Sequence, residues 1–160
     1  MRRGKLPLLA IGVLGFFSLA LAAGPTDLAV IVNKKTAVLA FSSRDLRSIL
    51  LGEKEQWPNG QKVLAVSLPT EMPETKLILK EICGMSEADF KRYFMQLTFQ
   101  GKTAIPPRIA RSPAAVKALV SATPGALGII PAADVDESVN VVSLDGGYPG
   151  AANYKLAMKR

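Results

Sequence analysis

The chain has 160 residues, the size of one domain with a substantial core, and a formal net charge of +7. Its 20 basic residues are scattered rather than grouped in a stripe, so the charge does not predict a nucleic-acid surface. The absence of histidine excludes Ser-His-Asp and Cys-His nucleophilic systems, histidine-based zinc sites and histidine proton shuttles. The single cysteine, Cys83, cannot form an intramolecular disulfide and is predicted to be a small buried hydrophobe.

Residues 1–22 are predicted to be a signal peptide. A positive segment at residues 2–5 precedes an uncharged apolar run at residues 8–21, and Ala20 and Ala22 form a small-x-small cleavage signal. The run is short for a membrane span, which needs about 20 apolar residues. The sequence therefore predicts a periplasmic or secreted protein after cleavage near Ala22, with a retained N-terminal anchor as the alternative.

The first elements after the leader are a strand, a helix and a second strand. Residues 28–32 form a continuous apolar run that is typical of a strand buried on both faces. Ser42 or Ser43 can cap the helix that follows, and Gly52 ends it. Residues 62–67 are the next strand. This order predicts a βαβ unit, in which the connection between parallel strands is right-handed.

Two further helices are predicted before Gly101. Pro73 fits the first turn of one helix, and Gly84 ends it. Residues 86–89 resemble a capping box with Asp in place of the usual Glu, which indicates that the next helix begins there. An apolar stripe at helical spacing follows, and we predict that it is core: Phe90, Tyr93, Phe94 and Leu97.

The rest of the chain continues the alternation of strands and helices. Residues 108–110 predict a short strand, Ser112-Pro113 the start of a helix, and residues 126–130 and 139–143 two more strands. The end from Lys155 to Arg160 is predicted to be peripheral. This order predicts a three-layer α/β domain with a mainly parallel sheet and helices on both faces. We assign residues 23–145 to the domain and residues 146–160 to a C-terminal tail.

Several stretches, in their order and spacing, resemble a known family. They are Ile31–Asn33 with Leu46–Trp57, then Tyr93–Pro107 (YFMQLTFQGKTAIPP), Thr123–Ile130 (TPGALGII) and Leu144–Leu156 (LDGGYPGAANYKL). The family is the substrate-binding proteins of phosphate ABC transporters, and the likeness is greater to the small single-lobe exported proteins related to them. The resemblance implies one lobe of a type II periplasmic-binding-protein-like fold.

The single tryptophan, Trp57, lies between a helix end and the tight turn of Pro58, Asn59 and Gly60. A large flat side chain at this point can lie over the edge of the sheet and fix the direction of the next strand, while its N–H meets polar groups. We favour this structural role over the alternative, an aromatic platform for a ligand.

The loop at residues 68–76 is where the resemblance places the phosphate, held in the family by a Ser-Gly-Thr-type loop at a helix N-terminus. This sequence departs from that pattern, because the loop has no glycine and no arginine, and Pro73 removes an amide donor. Thr70, Thr75 and Lys76 can still form a weak oxyanion site. The simpler interpretation is that Thr70 helps the helix to start and Lys76 is solvated.

A second cluster that can bind an anion lies at the start of the preceding helix. Ser42, Ser43 and Arg44 combine two hydroxyls with a positive charge at a helix N-terminus. Capping of the helix is again the simpler interpretation.

Taken with these sites, the resemblance implies an exported, non-enzymatic solute-binding-like protein whose nominal ligand is phosphate or another oxyanion. It also implies an envelope protein or an ABC transporter membrane subunit as a partner. The alternative is a periplasmic protein-interaction module of the same fold that has lost its ligand, because the loop is altered and one lobe exposes only half of a two-lobed site. A hydrolase is disfavoured, and no cofactor, metal or nucleic acid is indicated.

Overall fold

The computed structural model describes residues 27–158, so the predicted signal peptide lies outside the described residues. Within that range no helix is both long enough and apolar enough to cross a membrane. The strands are β1 (Leu28–Asn33), β2 (Ala40–Phe41), β3 (Leu64–Ser67), β4 (Arg108–Ile109), β5 (Ala126–Pro131), β6 (Val139–Val141) and β7 (Ser143–Leu144). The helices are α1 (Ser43–Leu50), α2 (Pro73–Ile78) with a π-helical continuation (Leu79–Cys83), α3 (Glu87–Phe99), α4 (Pro113–Ala122) and a 3-10 turn (Ala132–Asp134).

The main sheet has the strand order β4-β3-β5-β1-β6. β3 pairs in parallel with both β4 and β5, while β1 pairs antiparallel with both β5 and β6. Every strand of this sheet except β1 therefore points the same way, which confirms the predicted mainly parallel sheet. β2 and β7 form a separate parallel pair.

The predicted βαβ unit is wrong. β5 lies between β1 and β3 in the sheet, and β1 runs in the opposite direction to both. All six residues of β1 are buried. A continuous apolar run indicates that both faces of a strand are covered. It does not indicate whether the neighbouring strands are parallel or antiparallel, so it cannot predict the direction of β1.

Helices cover both faces of the sheet, as predicted. Leu28, Val30 and Val32 of β1 pack in a cluster with α1, α2 and the π-helical turn. The alternate residues of the same strand, Ala29 and Ile31, pack in a second cluster with α4. The alternation of side chains along one strand thus serves two separate cores.

The close packing of α4 on β5 depends on Gly128. A Cβ atom at this position would lie 2.6 Å from Cγ1 of Val116 and 3.0 Å from Cγ2 of Val120. The hydrogen atom that glycine carries instead leaves room for the helix to approach the strand. Val116 and Val120 are completely buried as a result.

The aromatic stripe of α3 is not the buried core that the sequence predicts. The helix begins at the predicted capping box on Ser86, but none of its residues is fully buried. Phe90, Tyr93, Phe94 and Leu97 are only half-buried. Phe90 and Tyr93 pack against the main core cluster, whereas Met95 and Phe99 on the same helix are exposed, so α3 is packed on one side only.

The predicted peripheral position of the last residues is wrong at Leu156. Its side chain is completely buried, and its carbonyl accepts a hydrogen bond of 2.9 Å from the Leu28 N–H. Tyr154 is also buried in the cluster that contains α1. The segment after Asp145 therefore returns to the core at the beginning of β1, a contact between distant residues that composition does not reveal.

Trp57 has the structural role that the sequence favours. Its side chain is 3% exposed, and its ring centroid lies 5.5 Å from that of Phe41. The indole N–H donates a hydrogen bond of 3.0 Å to the Gly125 carbonyl, which also accepts one from the Leu64 N–H. Trp57 thus joins the turn before β3 to the turn before β5.

Replacing Trp57 with phenylalanine tests this role. Trp57→Phe removes one buried hydrogen bond and leaves space beside Phe41, so we expect the free energy of unfolding to fall by about 1–2 kcal/mol. Urea unfolding followed by circular dichroism measures the change. Tyr148→Phe is the control, because Tyr148 is 52% exposed and its substitution should change stability by less than about 0.5 kcal/mol. Equal stability of the two variants would contradict the structural role.

Candidate functional site

The carboxyl ends of β3, β4 and β5 lie at the same edge of the sheet, where ligands of open α/β sheets usually bind. α2 begins after β3, and α4 begins after β4. The two loops are joined, since the Ala110 N–H donates a hydrogen bond of 2.9 Å to the Ser67 carbonyl. We therefore describe the predicted site residues relative to this edge.

Thr70 lies in the loop after β3, but its hydroxyl is already bound. It donates a hydrogen bond of 3.0 Å to Oε1 of Glu87, and Lys91 contacts the same oxygen at 2.6 Å. The hydrogen bond from Lys91, and to a smaller extent the one from Thr70, holds the pKa of the Glu87 carboxyl below its ordinary value. Thr70 thus ties the loop to the start of α3.

Thr75 is buried, so it does not face a ligand. Its side chain is 3% exposed, and its hydroxyl donates a hydrogen bond of 3.2 Å to the Leu68 carbonyl. The prediction that Thr70 helps α2 to start is wrong, because the N-cap is Met72, which makes no side-chain capping bond. Pro73 occupies the first helical position, so the N-cap is the residue directly before it.

Lys76 is exposed and faces a groove of about 500 Å³ between α2 and α3. We call it the α2–α3 groove, and it is lined by Lys76, Lys80, Gly84, Met85, Ser86 and Glu87. No ion pair of Lys76 occurs among residues 27–158. Lys80 was not predicted as a site residue, although its helical spacing from Lys76 indicates that the two lie on one side of a helix.

Ser42 is the N-cap of α1, as the capping interpretation predicts. Its hydroxyl oxygen accepts a hydrogen bond of 3.0 Å from the Asp45 N–H, and the hydroxyl donates one of 2.7 Å to the Asp45 carboxylate. Both functions of the hydroxyl are thus used within the first turn of the helix.

Ser43 is bound by a carboxylate from the other end of the chain. Its N–H donates a hydrogen bond of 2.8 Å to Oδ1 of Asp145, and its hydroxyl donates to Oδ2. Lys155 completes this group, with Nζ 2.7 Å from Oδ2 of Asp145 and 2.9 Å from Oγ of Ser43. We call Ser43, Asp145 and Lys155 the Asp145 cluster.

The Asp145 cluster uses the donors that an external anion would need. The Lys155 ammonium and the Ser43 donors lower the pKa of Asp145 from 3.8 to about 2, so the carboxylate stays charged at neutral pH. Sequence reasoning missed Asp145 and Lys155, which lie 102 and 112 residues from Ser43.

The two predicted clusters remain separate. Among the described residues, no hydrogen bond or ion pair joins residues 42–44 to residues 70–76. Arg44 is exposed, and its side chain makes no hydrogen bond or ion pair with any of residues 27–158. Arg44 and Lys76 are therefore the predicted site residues whose charges are available to a ligand.

Cys83 is not a nucleophile in this arrangement. It is 5% exposed, and burial raises the pKa of its thiol to about 11. At neutral pH almost all of the side chain is the unreactive thiol form. The prediction of a small buried hydrophobe is confirmed.

No protein-family model matches the chain. Its structure is similar to that of a protein from Clostridium perfringens assigned as a phosphate ABC transporter substrate-binding protein and solved with bound phosphate (TM-score 0.63, 19% identity, 78% of this chain and 47% of that one). The resemblance predicted from the sequence is confirmed.

Two other solved structures are similar to the same extent. They are an ABC-type phosphate transport receptor from Vibrio cholerae (TM-score 0.62, 18% identity) and PstS from Borrelia burgdorferi (TM-score 0.62, 16% identity). In both cases the match covers 78% of this chain and 49% of the other. The chain thus spans about half the length of these solved proteins and has the fold of a single lobe.

A pH series on Asp145 tests the Asp145 cluster. A carboxyl whose pKa is lowered on folding stabilises the protein above its ordinary pKa of 3.8, and this stabilisation is lost as the pH falls through about 2. We therefore expect the urea midpoint of the wild type to exceed that of Asp145→Asn at pH 5, and the difference to disappear only as the pH falls below about 2.

The matched control is Asp134→Asn, because the Asp134 side chain is exposed and forms no ion pair within residues 27–158. Its midpoint should follow that of the wild type at every pH. A pH-independent difference between the wild type and Asp145→Asn would show that the charge of Asp145 is not what stabilises the cluster.

Proposed function

We propose that the chain is an exported, non-enzymatic solute-binding-like protein whose nominal ligand is phosphate or another small oxyanion. Residues 1–22 would direct export and be removed near Ala22, which would leave the protein in the periplasm or the medium. The fold supports this proposal, because the solved structures with which it is shared are named as phosphate-binding or phosphate-transport proteins.

The observation that carries the proposal is the position of Lys76. It follows β3 in the helix where the resemblance places the anion, and it lines the α2–α3 groove together with Lys80, whose Nζ lies 4.0 Å from Oε1 of Glu81. The one carboxylate of the groove, Glu87, is already engaged by Lys91 and Thr70. The groove therefore favours a negatively charged ligand.

The same geometry predicts weak binding. An open groove leaves most of a small anion hydrated, whereas tight small-molecule sites enclose their ligands. The hydroxyls of Thr70 and Thr75 already bind protein atoms. We expect a dissociation constant on the order of 1 mM, which corresponds to about 4 kcal/mol of binding free energy.

The second candidate is a periplasmic interaction module that keeps the fold and has lost the ligand. One observation favours it: the donors predicted to bind an anion are occupied by internal groups. The Ser43 donors bind Asp145, and the Thr75 hydroxyl binds the Leu68 carbonyl. An envelope protein or a transporter membrane subunit would then be the partner.

Calorimetric titration separates the two candidates. We expect phosphate or sulfate to release or absorb heat on binding to the purified chain. Lys76→Ala should weaken that binding at least about fivefold, a loss of roughly 1 kcal/mol. Lys35→Ala is the matched control, since it removes the same charge from an exposed turn at the end of β1, and it should leave the affinity unchanged.

A third variant, Arg44→Ala, distinguishes between the two predicted positions of the anion. Arg44→Ala should bind phosphate like the wild type if the anion lies in the α2–α3 groove, and a loss in Arg44→Ala alone would place it at the start of α1. Absence of heat with phosphate and sulfate up to high millimolar concentration would exclude the first candidate and leave the second. Hydrolysis of a phosphoester by the purified chain would contradict both.

A further inference from the structure

The α2–α3 groove is much larger than a phosphate ion. Its volume of about 500 Å³ falls within the range of about 300–1,000 Å³ that is typical of sites for whole organic molecules. A phosphate ion is a single compact group, so it can contact only a small part of the walls at any time. The size of the groove therefore favours a ligand that has a body as well as a charged group.

Most of the surface of the groove is apolar, although two of its residues are lysines. The stem of a lysine side chain is apolar up to the ammonium group, so Lys76 and Lys80 contribute to this surface as well as to the charge. Met85 lies in the connection that leads to α3, where it is half-buried and packs against the main core cluster. An apolar group of a ligand would thus meet apolar walls.

The positive charge of the groove lies on the side of α2. Lys76 and Lys80 are four residues apart, which places their side chains on one side of the helix. The ion pair of Lys80 is long, with Nζ 4.0 Å from Oε1 of Glu81, and the Lys80 side chain is 81% exposed. An exposed pair of this kind contributes little free energy, so the ammonium group can turn to a ligand at little cost.

The two α3 side chains that line the groove, Ser86 and Glu87, are already engaged. The Ser86 hydroxyl donates a hydrogen bond of 2.7 Å to the Asp89 carboxylate and accepts one of 3.2 Å from the Asp89 N–H. The Glu87 carboxylate accepts hydrogen bonds from Lys91 and Thr70. The anionic group of a ligand therefore belongs beside the lysines of α2, and the rest of the ligand extends toward α3.

We propose that the α2–α3 groove binds an oxyanion that carries an apolar organic body, as in a monoester of phosphoric acid with an alkyl or aryl alcohol. The anionic group lies beside Lys76 and Lys80, and the apolar body lies against Met85. This inference rests on the proposed oxyanion function and narrows the ligand of the same site. A soluble phosphate ester and a lipid that ends in a phosphomonoester share this chemistry.

The apolar body supplies affinity that inorganic phosphate lacks in an open groove. Tenfold tighter binding corresponds to about 1.4 kcal/mol. At about 25 cal/mol per Å² of apolar surface removed from water, this difference requires the burial of roughly 55 Å². Part of a hexyl chain that lies on Met85 and on the lysine stems is sufficient for an area of that size.

Calorimetric titration with hexyl phosphate and with inorganic phosphate tests the inference. We expect hexyl phosphate to bind at least about tenfold more tightly. Met85→Ala should remove that advantage and leave the affinity for inorganic phosphate unchanged, whereas Lys76→Ala should weaken the binding of both ligands by the same factor. Met95→Ala is the matched control, because Met95 is 54% exposed and does not line the groove, and it should bind both ligands like the wild type.

A second variant, Met85→Gln, keeps the length of the side chain and makes its end polar, so it should also lose the advantage of hexyl phosphate. Circular dichroism checks that each variant is folded. Equal affinity for hexyl phosphate and inorganic phosphate would overturn this inference and leave the proposed function standing. An advantage that survives in both Met85 variants, or hexanol that binds as tightly as hexyl phosphate, would also overturn it. Absence of binding by phosphate, sulfate and hexyl phosphate alike would contradict the proposed function itself.

Vesicles of phosphatidylcholine that contain phosphatidic acid identify the source of the ligand, because phosphatidic acid presents a phosphomonoester at a membrane surface. Sedimentation of the wild type with these vesicles, and its loss in Lys76→Ala and Met85→Ala, would assign the ligand to a lipid. Binding of hexyl phosphate without sedimentation would assign it to a soluble ester. Either result supports the inference.

Discussion

The complete burial of β1 is the constraint on which the rest of the structure depends. This strand lies between β5 and β6 and runs against both. Its alternate side chains belong to the two separate cores, one under α1 and α2 and the other under α4. The first residue of the strand is also the anchor for the end of the chain, through the hydrogen bond to Leu156. Both helical layers and the C-terminal segment are thus positioned against a single strand.

The helix starts show how internal groups can replace a ligand. Backbone N–H groups at a helix N-terminus attract negative charge. In α1 this charge comes from Asp45 in the first turn and from Asp145 beyond β7. In the first turn of α2, the hydroxyl of Thr75 donates instead to the buried Leu68 carbonyl. What remains for an external anion is the positive charge of side chains that reach solvent, Arg44 and Lys76.

α3 is an aromatic helix that lies at the surface of the domain, and none of its residues is fully buried. Only its inner side packs, through Phe90 and Tyr93, against the main core cluster. The aromatic contacts within the helix compensate in part for the missing packing. Its outer side, with Phe99 most exposed, faces solvent.

The sequence by itself determined the local structure. Capping residues predict helix starts at Ser42 or Ser43, at Ser86 and at Ser112, and apolar periodicity predicts the buried strands. The favoured role of Trp57 and the three-layer architecture follow from the local pattern and from the family resemblance. Only the tertiary structure decided the direction of β1, the exposure of α3 and the pairing of Ser43 with Asp145. These depend on which distant segments lie side by side, and a buried strand, an aromatic stripe or a lone serine has the same local pattern whatever its neighbour.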